Sequence, residues 1–293
     1  MGISKYPSIV TLPNVVEPYP SILDFLSAKF PHVQRDRWEE RLNEGKILDE
    51  ESRKVTSDMR YIPLKRLFYF REVEDERVIP FTEQILFQND EILVACKPHF
   101  LPVTPGGPYV NECLLNRLRL RTGLGSLAPI HRIDRETAGI VMFSVNKKTS
   151  NLYHELFRNG KVEKTYQAIS EYCGNQEKTE WAIENRIVRG EPWFRMKTSP
   201  GEANARSKIT LVEVKHNRGR FLLSPHTGKT HQLRLHMSGL GFKICNDKYY
   251  PDLQPESADD FSNPLQLIAK KLKFLDPVNG KEMEFVSERN LWE

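Results

Sequence analysis

Residues 131–140 of the chain read HRIDRETAGI, a stretch in which a single aspartate stands among cationic side chains. Asp134 lies between Arg132 and Arg135, with His131 just ahead of them and an apolar segment behind. An aspartate with an ordinary pKa of about 3.9 is ionised at neutral pH, and guanidinium groups hold such a carboxylate by charge-assisted hydrogen bonds. The stretch therefore indicates either a structural ion-pair cluster or a catalytic carboxylate with the groups that position it.

The composition indicates a globular protein with a substantial core. Of the 293 residues, 39% are hydrophobic and 28% are charged, which suits one large domain or two smaller ones. No apolar run approaches the roughly 18 residues of a membrane span, and the first residues lack the pattern of a secretory signal, so we expect no membrane partner. The four cysteines stand apart without a C-x-x-C pair, which argues against a zinc site and favours a cytoplasmic protein.

Proline content and charge divide the chain into three parts. Residues 1–20 hold four prolines and predict an extended leader, and residues 21–80 predict a small α/β domain. Residues 1–80 carry 13 Lys and Arg against 14 Asp and Glu. Residues 81–293 carry 30 against 25, and this modest basic excess permits a polyanionic partner.

Hydrophobic periodicity predicts several short helices. The segment 21–30 has apolar residues at helical spacing and begins with a serine at the N-cap position. A helix over 147–158 would turn Leu152, Leu156 and Phe157 inward. Further helices are expected over 35–45, over 110–123 and from about residue 230 onward.

Strand patterns outnumber the helices and do not alternate with them regularly. This arrangement predicts an α+β fold, with a mixed, mainly antiparallel sheet flanked by helices and loops. Residues 246–264 are polar and predict a mobile loop. The predicted strands are 92–97, 139–146, 164–170, 207–217, 220–224, 265–274 and 282–286.

A second polar stretch, SPHTGKTHQLRLHMSGLG at 224–241, holds three histidines five residues apart. This spacing does not suit a metal site, because such residues face opposite sides of a strand and lie well apart on a helix. A helix beginning near Thr230 would instead place Leu233 and Met237 on one apolar stripe. Arg234 would then lie off that stripe and could point at an anion.

Five motifs in a fixed order give the chain a resemblance to a known family. ILVACKPHFLPVTPGG is followed by HRIDRETAGI, KTYQAI, HTGKTHQLRLH and LIAKKLKFLDPVNGKEMEF. The series closely resembles the RluA-type family of pseudouridine synthases over residues 85–286. The resemblance implies isomerisation of specific uridines in structured RNA, ribosomal RNA first and transfer RNA next, with neither cofactor nor metal. It also implies that the target uridine is flipped out of its strand before it reacts.

The resemblance assigns three residues to the chemistry. Asp134 matches the family's catalytic aspartate, which attacks either carbon-6 of the uracil or the anomeric carbon of the ribose. Tyr166 matches an active-site tyrosine that stacks on the uracil and takes part in the late removal of the carbon-5 proton. Arg234 matches the basic residue that pairs with the aspartate.

The resemblance also implies how RNA is held. Arg135 matches the position that enters the vacated base stack, where a planar guanidinium can stack and also pair with phosphate. Leu267 would form an apolar wall for the base. Residues 21–80 look like a divergent αL-type RNA-binding fold of a small-subunit ribosomal protein, with a spacer or docking domain as the alternative. The other residues expected at the RNA are His131, Arg132, Lys229, Thr230, His231 and Gln232.

Three departures from the family pattern leave the chemical assignments untouched. Ala138 stands where the family has serine, Ile268 stands where it has histidine, and the entry loop 98–107 differs. We therefore expect an active enzyme. The alternative is a non-catalytic RNA-binding or RNA-folding protein on the same scaffold. A zinc-dependent deaminase is disfavoured, because the chain lacks the required cysteine and histidine set.

Overall fold

The computed structural model divides into two compact units. The small unit comprises Met1–Arg77 together with Gly106–Asn111, and the large unit comprises Val78–Pro105 together with Glu112–Glu293. Residues 2–31, 33–172, 178–255 and 260–292 are described by the structure.

Five short helices occur among the described residues, each where periodicity predicts one. The backbone N–H of Asp24 donates to the hydroxyl of Ser21 over 3.1 Å, which confirms the predicted N-cap. The third helix ends at Gly123, whose φ of +73° is the left-handed conformation that favours glycine. None of these described helices is long and apolar enough to cross a membrane. The helices are α1 (Ile22–Lys29), α2 (Arg35–Asn43), α3 (Leu114–Thr122), α4 (Ser150–Arg158) and α5 (Gln232–Gly239).

The small unit packs its two helices against a three-stranded antiparallel sheet. The core includes Phe25 and Leu26 from α1, Trp38 from α2 and Leu67 from the sheet. The segment 1–20, for which the sequence predicts an extended leader, contributes two short strands that pair with later ones. The strands are β1 (Gly2–Ile3), β2 (Ser8–Thr11), β3 (Ile47–Leu48), β4 (Arg66–Tyr69) and β5 (Glu72–Val73); β2, β4 and β3 form the sheet, and β1 pairs with β5.

The described residues of the large unit form one sheet of eleven strands. Among the described strands, Ala138–Ser144 and Leu267–Leu275 run parallel to each other, and every other pairing in this sheet is antiparallel. The predicted α+β fold with a mixed, mainly antiparallel sheet is confirmed. The strands are β6 (Gln84–Gln88), β7 (Ile92–Lys97), β8 (Ala128–Pro129), β9 (Ala138–Ser144), β10 (Glu163–Glu171), β11 (Glu180–Arg189), β12 (Met196–Ser199), β13 (Ala205–Lys215), β14 (Arg218–Pro225), β15 (Leu267–Leu275) and β16 (Glu282–Val286).

The parallel pairing places the start of β9 directly beside β15. Ala138 pairs with Ile268, and Gly139 pairs with Ala269. Gly139 has a φ of +113°, and a Cβ at this position would lie 2.2 Å from the carbonyl oxygen of Ala269. Only glycine permits this close approach, and the approach places the loop before β9 next to β15.

The predicted burial of α4 is wrong at one position. Leu152 is 41% exposed, whereas Tyr153 and Leu156 are buried and Phe157 is partly buried. These three lie at i, i+3 and i+4 and form one stripe, from which Leu152 is turned by about a quarter of a helical turn.

The predicted polar, mobile loop at 246–264 is wrong in its first part. Asp247 and Tyr250 are buried, at 3% and 2% exposure, and they pack against α5 rather than facing solvent. The reason is that Asp247 finds a cationic partner on α5, so its charge can be buried. Residues 256–259 of this prediction lie outside the described residues.

Candidate active site

A cavity of about 560 Å³ opens in the large unit beside the loop that carries Asp134. This volume falls within the range of small-molecule sites, which suits a single nucleobase with its sugar. Arg135 and Thr230 are not among its lining residues in the part of the chain that the structure describes. The other residues singled out from the sequence all line it: His131, Arg132, Asp134, Tyr166, Lys229, His231, Gln232, Arg234 and Leu267.

A buried lysine is hydrogen-bonded to the loop that carries Asp134. Lys97, at the end of β7, has no exposed surface, and its ammonium donates to the backbone carbonyls of Pro98, Leu101 and Arg135 over 2.7–2.9 Å. Burial lowers the pKa of Lys97 to about 7, although nearby carboxylates, including that of Asp134, oppose this. The three hydrogen bonds tie the entry loop to the loop of the aspartate.

Arg234 is the guanidinium that the structure brings to Asp134. Its Nη1 lies 3.7 Å from the Oδ2 of Asp134 and has no hydrogen-bond partner among the described residues. The side chain is only 2% exposed, so this donor faces the aspartate without competition from bulk water. A buried donor that lacks a partner is costly, and it is satisfied once an acceptor moves within reach.

Asp247 holds the other side of the same guanidinium, and the sequence analysis did not single it out. The Nε and Nη2 of Arg234 donate to the two carboxylate oxygens of Asp247 over 2.8 and 2.6 Å. Burial alone would lower the pKa of Arg234, but the hydrogen bonds and charge of Asp247 outweigh it, and the pKa is raised. The guanidinium therefore stays charged in a nearly dry site.

Two tyrosines that follow Asp247 in the chain contact both Asp247 and Arg234. The backbone N–H groups of Tyr249 and Tyr250 donate to Asp247 over 2.8 and 3.1 Å. The ring centroids of Tyr249 and Tyr250 lie 4.7 and 5.6 Å from the central guanidinium carbon of Arg234. Both contacts are cation–π interactions, which fix the guanidinium plane. No local sequence signal marked Asp247, because the partner of a buried arginine is determined only in the folded chain.

Tyr166 and Leu267 form one wall of the cavity. They come from neighbouring strands, β10 and β15, and Tyr166 is partly buried while Leu267 is 2% exposed. Burial raises the pKa of the Tyr166 phenol, and the charge of Asp134 raises it further. The phenol is thus protonated at neutral pH and offers a ring face with a polar hydroxyl.

The two histidines near Asp134 have structural partners. The Nε2 of His131 accepts from the backbone N–H of Met142 over 3.1 Å, and burial lowers the pKa of His131 to about 3. His231 precedes α5 with a φ of +54°, and its Nδ1 lies 3.0 Å from the hydroxyl of Tyr250. Burial lowers the pKa of His231, although the charge of Asp134 opposes it. His131 is therefore neutral and does not supply the cation that the sequence suggested.

The basic residues near the cavity fall into two groups: those that line its rim, and Arg135, which pairs with a carboxylate. Arg132 and Lys229 are exposed at the cavity and, with Arg158 and Lys164, give its rim a positive charge. Arg135 forms an ion pair with Glu136 over 2.5 Å.

Gln232 is a structural residue in this arrangement. Its side-chain oxygen accepts from the hydroxyl of Thr227 and the backbone N–H of Lys229, over 2.7 and 3.1 Å. Its nitrogen donates to the carbonyl oxygen of Arg206 and the hydroxyl of Ser207. These four bonds fix the turn that leads into α5.

No cluster of three or more His, Cys, Asp or Glu residues suited to a metal occurs among the described residues.

Comparison with known proteins gives one consistent result. A family model described as RNA pseudouridylate synthase matches residues 91–239. The dual-specificity RNA pseudouridine synthase RluA of Haemophilus influenzae is 31% identical, covering 69% of this chain and 90% of its own. The ribosomal large subunit pseudouridine synthase C of Rickettsia bellii is 29% identical, covering 74% of this chain and 73% of its own.

A solved human structure shares the fold. The RNA pseudouridylate synthase domain containing 1 protein superposes with a TM-score of 0.57 at 22% identity, covering 71% of this chain and 84% of that one. The family match spans half of the chain and includes the segment from the Asp134 loop to Arg234. The five motifs, the mixed sheet and these relatives agree, and the chain therefore belongs to the RluA-type family of RNA pseudouridine synthases, which are isomerases.

Proposed function

We propose that the protein converts specific uridines of structured RNA to pseudouridine, with Asp134 as the nucleophile on a uridine flipped out of its strand. We place ribosomal RNA first among the substrates and transfer RNA next. The observation that carries the proposal is the convergence of Asp134, Arg234 and Tyr166 on one cavity. A relative named for the large ribosomal subunit supports the choice of RNA.

The reaction needs only groups that the cavity contains. The carboxylate of Asp134 attacks carbon-6 of the uracil or the anomeric carbon of the ribose, and the glycosidic carbon–nitrogen bond breaks. The uracil turns, and its carbon-5 forms the new bond to the anomeric carbon. The carbon-5 proton then leaves, the ring nitrogen freed from the ribose takes up a proton, and release of the aspartate completes an isomerisation with no net gain or loss of atoms. Arg234 balances the carboxylate charge in the cavity once RNA has displaced water.

Tyr166 acts through its ring and its protonated hydroxyl. Burial raises the pKa of this phenol, so the hydroxyl stays protonated. The ring serves as a stacking surface for uracil, and the hydroxyl relays the carbon-5 proton. The buried Leu267 limits the space available to the base from the neighbouring strand.

The basic rim suits an RNA backbone around the cavity. Arg132, Arg158, Lys164 and Lys229 line it and can pair with phosphates. Flipping a uridine costs about a few kcal/mol, and we propose that Arg135 leaves its ion pair with Glu136 to fill the vacated stack.

Two wider parts of the proposal concern the small unit and the location of the protein. We propose that residues 21–80 act as a divergent αL-type RNA-binding domain, which the packing of α1 and α2 on a small sheet supports. Charge reversal at the exposed Arg60 should then weaken RNA binding without changing turnover of bound RNA. We also propose a cytoplasmic location, which the free thiols of Cys96 and Cys245 support.

The deciding experiment is a map of pseudouridine across cellular RNA, with and without the protein. Re-expression of the unsubstituted chain should restore specific sites, and Asp134→Asn should restore none while RNA binding is retained. Asp90→Asn, at an exposed loop position, is the matched control and should restore them all. If the unsubstituted chain binds RNA and restores no site, the non-catalytic RNA-binding reading is correct.

A further inference from the structure

One large aromatic side chain near the active site is left in water. Trp193 is 72% exposed, in the loop 190–195 between β11 and β12. The chain has four tryptophans, and two of them, Trp38 and Trp181, are buried. Most of this indole is in contact with water, and a planar ligand that covered it would remove a large apolar surface from water.

The turn that presents Trp193 is built to keep its shape. The N–H of Gly190 donates to the carbonyl of Arg195, and the N–H of Arg195 donates to the carbonyl of Pro192, both over 2.8 Å. The next backbone N–H, that of Met196, donates to the hydroxyl of Tyr250 over 2.7 Å. The turn is therefore anchored to the same loop that clamps Arg234.

A continuous series of aromatic rings joins Trp193 to the active site. The ring of Trp193 packs edge-on against Phe194 at 5.9 Å, and Phe194 contacts Tyr249 at 5.3 Å. Tyr249 in turn covers the guanidinium of Arg234, whose Nη1 faces Asp134. Trp193 thus stands at the outer end of a packed row whose inner end is the reacting carboxylate.

The charges around this row favour a polyanion. The segment 189–197 reads RGEPWFRMK and holds three cations against one carboxylate. Arg189 and Lys197 are exposed, and Arg195 lies 5.2 Å from the ring centroid of Tyr250 and donates to the carbonyl of Pro251. Cations interleaved with an exposed aromatic ring are the combination by which proteins bind single-stranded nucleic acid.

We propose that Trp193 is a stacking platform for a base of the substrate RNA other than the target uracil. The inference rests on the proposed function, since it takes RNA as the substrate. A base outside the cavity covers the exposed indole while the cations of 189–197 pair with the adjoining phosphates. The contact fixes the RNA beside Tyr249 and so sets which uridine reaches Asp134.

The test measures binding without turnover. The probe is a short RNA stem-loop with an unpaired loop of mixed sequence, compared with the same stem-loop carrying an abasic loop of equal charge. The intact stem-loop should quench Trp193 fluorescence, observed in a Trp292→Phe background, and the abasic loop should quench it much less. Trp193→Ala should weaken binding of the intact stem-loop about 5- to 150-fold, and Trp193→Phe should retain most of the affinity.

Trp292→Ala is the matched control, because Trp292 is also partly exposed, at 37%, and its ring contacts Arg218 rather than the aromatic row. It should bind the stem-loop as the unsubstituted chain does. Unchanged affinity in Trp193→Ala, or equal quenching by the abasic loop, would overturn the inference and leave Trp193 to a protein partner. The binding test involves no turnover. If Trp193→Ala binds the stem-loop more weakly and no RNA gains pseudouridine, the proposed function is refuted and the stacking site at Trp193 is retained.

Discussion

Arg234 donates two hydrogen bonds to the carboxylate of Asp247, and both side chains are almost fully buried. Two of the three guanidinium nitrogens are thereby committed, and the third, Nη1, faces Asp134 at 3.7 Å. Asp247 does not line the cavity, so it acts through Arg234. It is a positioning residue: it fixes which edge of the guanidinium Asp134 meets.

Asp247→Asn should lower kcat about 100-fold while KM for RNA changes little. The neutral amide cannot balance the buried guanidinium, which then turns towards Asp134 and leaves its fixed orientation, and small misplacements in an active site cost about this much. Steady-state kinetics on an RNA that carries a mapped site give the kcat and KM values.

The control for this prediction is Asp276→Asn. Asp276 is equally buried, at 1% exposure, and its Oδ1 accepts from the hydroxyl of Tyr153 over 3.1 Å. Both substitutions should lower the melting temperature, but only Asp247→Asn should slow the folded enzyme. Equal kcat values for the two variants would reduce Asp247 to a purely structural residue.

Arg234→Lys should also be a poor enzyme, although the charge is kept. A lysine ammonium is a single point of charge and cannot both hold Asp247 with two parallel hydrogen bonds and reach Asp134. We expect kcat to fall about 100-fold, with RNA affinity retained, since Arg234 is buried and does not belong to the cationic rim. Arg206→Lys, at an exposed ion pair with Glu184, should behave like the unsubstituted enzyme in the same assay.

The sequence predicted two kinds of segment well: a strand that is buried on both faces, and a helix that ends at a glycine. The strand at 92–97 is found with the same bounds as β7, and the predicted helix over 110–123 ends at Gly123 as its sequence indicates. Apolar runs bounded by glycine or proline carry such information locally. The two strands of the β11–β12 hairpin were missed: the sequence of Glu180–Arg189 does not alternate strictly between polar and apolar residues, and the strand stands near the edge of the sheet, where packing demands are weak.

The candidate site was predictable only for residues that lie within the ordered motifs. Asp134, Arg234 and Tyr166 were found from motif order, and the structure brings all three to one cavity. Asp247 was missed because a polar segment with prolines reads as solvent-exposed, and its burial depends on α5, which meets it only in the folded chain. The partner of a buried charge is a tertiary property, so no local pattern reveals it.

Gly139→Ala should destabilise the large unit by about 3 kcal/mol. The added Cβ would lie 2.2 Å from the backbone of Ala269, and the residue would be held at a φ of +113°, which L-amino acids rarely adopt. Chemical denaturation of the unit gives the change in the free energy of unfolding. Gly125→Ala is the control, since no atom lies within 4 Å of its added Cβ, and a similar loss there would contradict the steric argument.

The pH dependence of stability should reveal the neutral state of His131. Burial lowers its pKa to about 3 in the folded protein, whereas an unfolded histidine titrates near its ordinary value of about 6.5. Below about pH 6.5 the unfolded chain therefore binds a proton that the folded chain does not bind. The stability that His131 contributes falls by about 1.4 kcal/mol per pH unit as the pH drops towards 3.

His131→Gln can keep an acceptor for the N–H of Met142 and has no proton to gain. The free energy of unfolding of the unsubstituted protein minus that of His131→Gln should accordingly decrease from pH 7 to pH 4, because the other histidines are present in both chains and cancel. A difference that stays constant over this range, or an imidazole NMR signal of His131 that titrates near pH 6.5, would mean that the folded ring takes up a proton and adds a cation beside the Asp134 loop.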